Sequence, residues 1–265
     1  MRQVIITLLS DFGLKDSYVA EMKGTILCVL PKAKIIDISH DIDKFDIRMG
    51  AFVLASAIPY FPQNTVHVAV VDPGVGTERR PIILKTKNCY LVGPDNGVLM
   101  LAAINQGLKH VYVIENPEFM LQRVSKTFHG RDVFAPAAAH LARGISIAEF
   151  GREIRDYVVP DFAQPHLEGS VACGEILHID NFGNIISNIP SALLEKVGIK
   201  EKIHVKIGAK AKSIKLHAAY DYAPLGETIA IFGSHDFLEI SINQGAASKQ
   251  FNGKRGDSIR VWPTY

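Results

Sequence analysis

Apolar residues fall in short unbroken runs through roughly the first 160 positions, and most of the runs stop at turns rich in Gly, Asp or Pro. Residues 4–9 form such a run, ended by Ser10-Asp11-Phe12-Gly13. Without polar alternation it predicts a strand covered on both faces, as in a parallel sheet. Behind it Tyr18, Met22, Ile26 and Val29 recur at helical spacing, with Asp16 or Ser17 placed as the cap and Pro31 as the stop. Residues 35–38 give a second strand, and Ile47, Ala51, Leu54 and Ile58 mark a second amphipathic helix. Residues 65–71 give a third strand, running into Asp72-Pro73-Gly74-Val75-Gly76-Thr77-Glu78-Arg79-Arg80. Further strands are expected at 82–85, 90–92 and 111–114, with helices over 98–104 and 134–143, the last ending near Gly144. This alternation predicts a three-layer α/β domain with a largely parallel sheet over residues 1–160.

The pattern changes after Val159. Pro160 and Pro165, with few apolar residues around them, mark a linker over 161–172. Short apolar segments follow at 174–179, 185–189, 203–207, 214–216, 228–232, 238–242 and 258–261, separated by Gly, Asn, Asp and Pro. They predict a smaller all-β domain over 173–265, a barrel or a sandwich.

Composition narrows the partners more than the fold. The 265 residues are 48% hydrophobic and 21% charged, and 29 basic against 27 acidic side chains leave a formal charge of +2. Neither nucleic acid nor a membrane surface is an expected partner. Cys28, Cys89 and Cys173 are odd in number and unpaired in spacing, which suggests neither a disulfide framework nor a thiolate zinc site. Cys28 lies in an apolar helical pattern and reads as core. The first apolar run is too short to span a membrane and no signal cleavage site follows it, so a reduced, cytoplasmic protein is expected.

Several clusters carry chemistry. Asp72 stands at a predicted strand end, where open α/β sheets bind ligands, with Arg79 and Arg80 nearby. Asp11 stands at another; it could accept from ribose hydroxyls, or it could cap a helix or close a turn. The stretch Asp37-Ile38-Ser39-His40-Asp41-Ile42-Asp43 is conceivable as a divalent metal site, but a polar strand-to-helix connection explains it equally well. Phe45 suits an aromatic wall or an ordinary core contact. Phe128-His129-Gly130-Arg131-Asp132 precedes a helix whose first N–H groups could face a ligand, and a histidine can relay protons near neutral pH. Asp180-Asn181-Phe182-Gly183-Asn184 suits ligand recognition or a bulge, and Gly233-Ser234 and Asn243-Gln244-Gly245-Ala246 are small polar loops that a flat ligand could approach. There is no Gly-x-Gly-x-x-Gly after the first strand, no Walker sequence and no Gly-x-Ser-x-Gly elbow.

Taken in order, Ser10 to Gly13, Val71 to Thr77, Gly93 to Gly97, Phe128 to Asp132 and Asp180 to Asn184 resemble the S-adenosylmethionine hydroxide adenosyltransferase family over nearly the whole chain. The resemblance implies an α/β domain followed by a β-barrel, assembled as a homotrimer with sites between subunits. It also implies hydrolysis of S-adenosyl-L-methionine to adenosine and L-methionine. The family's catalytic Asp-Arg-His set falls on Asp72, Arg79 and His129, with Arg80 the neighbouring alternative for the arginine. The same resemblance puts Asp11 on the ribose, Phe45 beside the ligand, Asp180 and Ser234 on the methionine end, Asn184 on adenine, and Asn243 and Ala246 at the pocket edge. The related fluorinase has Tyr in place of Asp72 and Ser in place of Gly130, a departure that points from halide to water.

The implied chemistry needs neither metal nor organic cofactor. The sulfonium leaves as a neutral thioether, so the expected tasks are aligning water behind C5′ and accepting its proton at Asp72, directly or through His129. Two other readings are a sensor that binds adenosine or S-adenosylmethionine without chemistry, and a halide-dependent 5′-halogenase.

Overall fold

A computed structural model describes residues 4–199, 201–220 and 223–264. The chain forms two compact units that divide between Pro160 and Asp161.

The first unit is the expected three-layer α/β structure. Its elements, in order, are β1 (Ile5–Ser10), α1 (Tyr18–Val29), β2 (Lys34–Ser39), α2 (Ile47–Ala57), β3 (Val66–Val70), β4 (Pro81–Thr86), β5 (Tyr90–Pro94), α3 (Met100–Asn105), β6 (Leu108–Val113) and α4 (Ala135–Ala142). The sheet order is β2-β1-β3-β5-β4-β6. β1 pairs in parallel with β2 and β3, and β3 with β5; β4 is antiparallel to both its neighbours. Ile6, Leu8, Val66, Val68 and Val70 pack with Met22 and Ile26 of α1 and the alanines of α4 in one buried cluster. Alternation sends Thr7 and Leu9 to the other face, which α2 and α3 cover.

The sequence fixes most of these choices locally, with two exceptions. Cys28, expected in the core, is exposed. The buried face of α1 is Val19, Met22 and Ile26, and a residue two places beyond Ile26 turns about 200° away from it. Nor do Asp16 and Ser17 cap α1: Ser17 is itself helical and its hydroxyl bonds the Glu21 carboxylate at 2.6 Å. α2 does have its cap, the Asp46 carboxylate accepting from Met49 N–H.

The buried face of the sheet also holds a histidine. His67 is fully buried between Thr7, whose Oγ1 is 2.7 Å from Nδ1, and the edge of Phe61, and its Nε2 has no partner. Burial lowers its pKa from 6.5 to about 3. The folded state therefore favours the neutral ring. The stability this gives is complete above about pH 6.5 and is lost as pH falls towards 3. The expected result is a thermal midpoint that drops steeply with acid in the native chain and less steeply in His67→Gln, read by calorimetry from pH 7 to 4.

In the second unit, β7 (His166–Glu168), β8 (Val171–Ile179), β9 (Ile185–Pro190), β10 (Lys202–Ile207), β11 (Lys210–Leu216), β12 (Thr228–Phe232), β13 (Phe237–Ile242) and β14 (Ser258–Pro263) are joined in the order β14-β10-β11-β12-β13-β9-β8-β7. Pairing of β14 with β8 closes β8 to β14 into a seven-stranded barrel, and β7 is added at its side. The alternative of an open sandwich is thereby settled. Ile176, Ile185, Ile203, Val205, Ile240 and Val261 fill the interior. The proline-containing segment read as a linker holds a short turn at Asp161–Ala163 and β7 itself. Two short helices, α5 (Ser191–Glu195) and α6 (Ala247–Phe251), escaped the periodicity because each is barely more than one turn.

Candidate active site

The sheet order reverses at β1, with β2 on one side and β3 on the other, and such a switch point opens a crevice at the carboxyl ends of the strands. Because Ser10 lies opposite Val70, the residues that follow, Asp11 and Asp72, emerge at one edge. A cavity of about 730 Å³ opens there, lined by Asp11, Phe12, Tyr18, Phe45, Asp72, Phe128, His129 and Gly130 among others.

Arg79 rather than Arg80 completes the carboxylate's surroundings. Arg79 donates from Nε to Asp72 Oδ1 at 3.2 Å and from Nη2 to Oδ2, and Nη2 also lies 3.1 Å from His129 Nδ1. The two side chains are only 7% and 5% exposed. Phe134 lies beneath the guanidinium, 5.4 Å from ring centre to Cζ. Arg79 Nη1 is buried with no hydrogen-bond partner among the described residues. Arg80 instead binds Asp95 and Asp156, fastening β4 to the end of the first unit.

An arginine can only donate, so His129 Nδ1 must accept and the ring proton resides on Nε2. Burial, and then the positive charge of Arg79, lower the His129 pKa against the opposing pull of Asp72. The imidazole is thus a neutral Nε2–H donor at the cavity.

Two glycines make this convergence possible. Gly76 has φ +77°, and a Cβ there would lie 2.3 Å from the Lys126 carbonyl oxygen. Its loop therefore touches the backbone that leads to His129. Gly76→Ala is expected to cost more than about 1 kcal/mol from the left-handed backbone conformation alone and to lower activity further by spreading the two loops. Denaturant melts and turnover measured together check both effects. Gly130 opens a π-helical turn, Gly130–Phe134, ahead of α4. A Cβ on it would meet Phe128, Met22 and Phe12 at 3.2–3.3 Å.

Asp11 Oδ2 accepts the Phe45 N–H at 2.9 Å, and both residues line the cavity. Phe45 has φ 65° and is 65% exposed, a conformation that a bulky residue rarely adopts without constraint. Ser10, His40, Asp37 and Lys23 run in a chain of hydrogen bonds behind this loop. His40 gives both ring nitrogens to Ser10 and Asp37, as a polar strand-to-helix connection would.

In the second unit Asp180, Asn184, Asn243 and Ala246 line a separate cavity of about 670 Å³ with Phe182 and Tyr220. The Asp180 carboxylate accepts from Phe182 N–H, Asn184 N–H and Asn184 Nδ2, which closes the turn and leaves the side-chain Oδ1 of Asn184 outside these bonds. Ser234 does not line this cavity; it sits in the β12–β13 turn, beside His235. Sequence reasoning missed the aromatic wall of Phe12, Tyr18 and Phe128, whose ring centres are 5.1–5.8 Å apart. Its sequence signals were the closeness of Phe12 to Asp11 and of Phe128 to His129.

A nearly enclosed carboxylate–guanidinium pair with a half-buried imidazole at the switch point of an α/β unit, followed by a β-barrel unit, has the make-up of a small-molecule site where a proton could be handled. The chain belongs to the SAM hydroxide adenosyltransferase family, whose N-terminal domain matches residues 6–151 and whose C-terminal domain matches residues 174–260. It is 41% identical to the (R)-S-adenosyl-L-methionine hydrolase of Methanocaldococcus jannaschii, covering 97% of this chain and 95% of that one. Identity to the protein of the same description from Salinispora arenicola is 38%, with 97% of each covered. A fluorinase from Actinoplanes sp. matches at 27%, again over 97% of each. Among solved structures, a conserved uncharacterized protein of Thermotoga maritima superposes with a TM-score of 0.86 at 39% identity, covering 97% of this chain and 99% of that one.

Proposed function

We propose that this protein hydrolyses S-adenosyl-L-methionine to adenosine and L-methionine, with water attacking C5′ in line with the departing sulfur. The observation that carries the reading is the buried Asp72–Arg79 pair with His129 Nδ1 on the same guanidinium. Asp72 receives the proton of the attacking water. Because His129 presents a proton and not a lone pair, it orients the water as a donor and does not serve as the base. Arg79 holds both Asp72 oxygens and the His129 ring in place, and its charge stabilises the oxygen as it gains hydroxide character. The balance is simple: the C5′–O bond forms, the C5′–S bond breaks, the sulfonium's pair leaves as neutral thioether, and one proton goes to Asp72. Alignment contributes on the order of 7–11 kcal/mol to such a displacement.

Asp11 holds the ribose hydroxyls through Oδ1 and Phe45 flanks the ligand. Asn184, Asn243 and Ala246 receive the adenine end, and Asp180 with Ser234 the methionine end. The reading includes a homotrimer with sites between subunits, which the exposure of Phe45, Leu225, Leu14 and Phe182 at 65%, 73%, 75% and 80% supports. It also includes a cytoplasmic location, suited to three free cysteines. Among the described residues no helix is long and apolar enough to cross a membrane.

The test is a time course with S-adenosyl-L-methionine followed by chromatography. Adenosine and methionine in equal amounts, independent of halide, are expected. Saturable binding without adenosine would make the protein a sensor, and a 5′-halo-5′-deoxyadenosine peak that appears only with added halide would make it a halogenase.

A further inference from the structure

The β7–β8 hairpin carries a set of side chains that the proposed reaction does not use. His166 and Cys173 are direct cross-strand partners, and Glu168, two residues along β7, returns to the same face. A ring nitrogen, a carboxylate oxygen and the thiol sulfur of these three all lie within 4.8 Å of one another. They line a cavity of about 790 Å³ in the second unit. We infer that His166, Glu168 and Cys173 form a binding site for a divalent transition-metal cation, zinc(II) in particular.

Imidazole, carboxylate and thiolate together match zinc better than magnesium or calcium, which prefer all-oxygen sites. The hydrogen bonds around the group orient it in the way metal ligands are usually oriented. His166 Nδ1 lies 3.4 Å from the Gln164 carbonyl oxygen, which can only accept. With Nδ1–H on that carbonyl, Nε2 faces Glu168 Oε1 at 3.5 Å, where a cation can take the place of a ring proton. Metal-bound histidines are held by a second-nitrogen bond of this kind. The other carboxylate oxygen, Oε2, accepts from Arg260 Nη2 at 2.6 Å, which fixes the carboxylate and leaves Oε1 for a cation. Arg260 lies opposite Cys173 on β14 and its charge opposes a cation. Binding zinc displaces the thiol proton, and the thiolate and carboxylate of the loaded site then outweigh that charge. Tetrahedral zinc with bonds of about 2.0–2.3 Å needs ligand atoms roughly 3.3–3.8 Å apart. His166 is 62% exposed, so its ring is free to turn towards the carboxylate and the buried sulfur, which already lie within 4.8 Å of it.

Spacing along the chain does not signal this group, because Cys173 has no cysteine near it in sequence. The hairpin register supplies what the spacing lacks.

Metal-stripped, untagged full-length protein titrated with zinc(II) against a chromophoric chelator is expected to bind one equivalent per chain. Cobalt(II) in its place is expected to give a thiolate charge-transfer band and the intense visible bands of a tetrahedral site. Cys173→Ser should abolish the charge-transfer band, and His166→Ala should weaken zinc binding by at least about tenfold. His166 is exposed, so its replacement reports on the site even if the cysteine variant folds poorly. Release of adenosine from S-adenosyl-L-methionine should be unchanged in His166→Ala, which keeps this test separate from the functional one. No stoichiometric binding, binding that survives both substitutions, or a cobalt complex without the thiolate band would each overturn the inference.

Discussion

Asp72→Asn is expected to lower kcat for adenosine release by about 10²–10⁴-fold, the usual range for loss of a positioned general base. The amide keeps the shape of the carboxylate but cannot take a proton. It still accepts from Arg79 through one oxygen, so the cavity, lined by Asp11, Phe45 and the aromatic wall, should continue to bind substrate. The discriminating measurement is single-turnover chemistry beside equilibrium binding of S-adenosyl-L-methionine. A variant that binds normally and turns over slowly supports the assignment. Full turnover would remove Asp72 from the chemistry and return it to the role of a turn residue. His129→Asn should cost less, because the proposed contribution of His129 is orientation and not proton acceptance.

Arg79→Met is the second large effect, and it should appear in stability as well as in rate. Removing one partner of a buried ion pair leaves the other charge uncompensated and costs about 3–5 kcal/mol. Asp72 and Arg79 are both nearly enclosed, and the methionine would restore only the packing against Phe134. The double variant Asp72→Ala/Arg79→Met relieves the stranded charge. It should therefore melt above the Arg79→Met single variant while remaining inactive. This reversal in stability without recovery of turnover is what a double-mutant cycle can read. Additive losses would mean that the pair is not the energetic unit that its geometry indicates.

Much of the fold was legible because strands covered on both faces leave unbroken apolar runs. Residues 4–9 and 65–71 are such runs, and they became β1 and β3 within a residue or so. Asp11 and Asp72 were legible for the same reason, since each follows directly on a run. The choice between Arg79 and Arg80 was not legible. Adjacent arginines differ only in which side of the strand entrance they face, and that is decided by Asp95 and Asp156, which claim Arg80 from 15 and 76 positions away. Phe45 was ambiguous because its left-handed backbone conformation is set by the Asp11 carboxylate, and local propensity argues against it. Cys28 was misplaced because a helical spacing identifies a stripe without saying where its edge lies. The tautomer of His129 depends on a partner 50 residues away and could not be reached from sequence.

The reversed direction of β4 has a consequence for how the site is assembled. A parallel strand after β3 would have required the chain to cross to the far end of the sheet before returning. With β4 antiparallel, the chain re-enters the sheet at the edge it has just left, and acid and counter-ion are separated by 7 positions. Closing so short a loop carries a small entropic cost. The charged pair is thus a product of one loop, able to form once β5 has joined the two flanking strands. His129 depends instead on α4 and the π-helical turn being seated on the sheet. Disturbances on the α4 side should accordingly misalign the imidazole while leaving the ion pair whole, so that the precision of the site and its charge balance can fail separately.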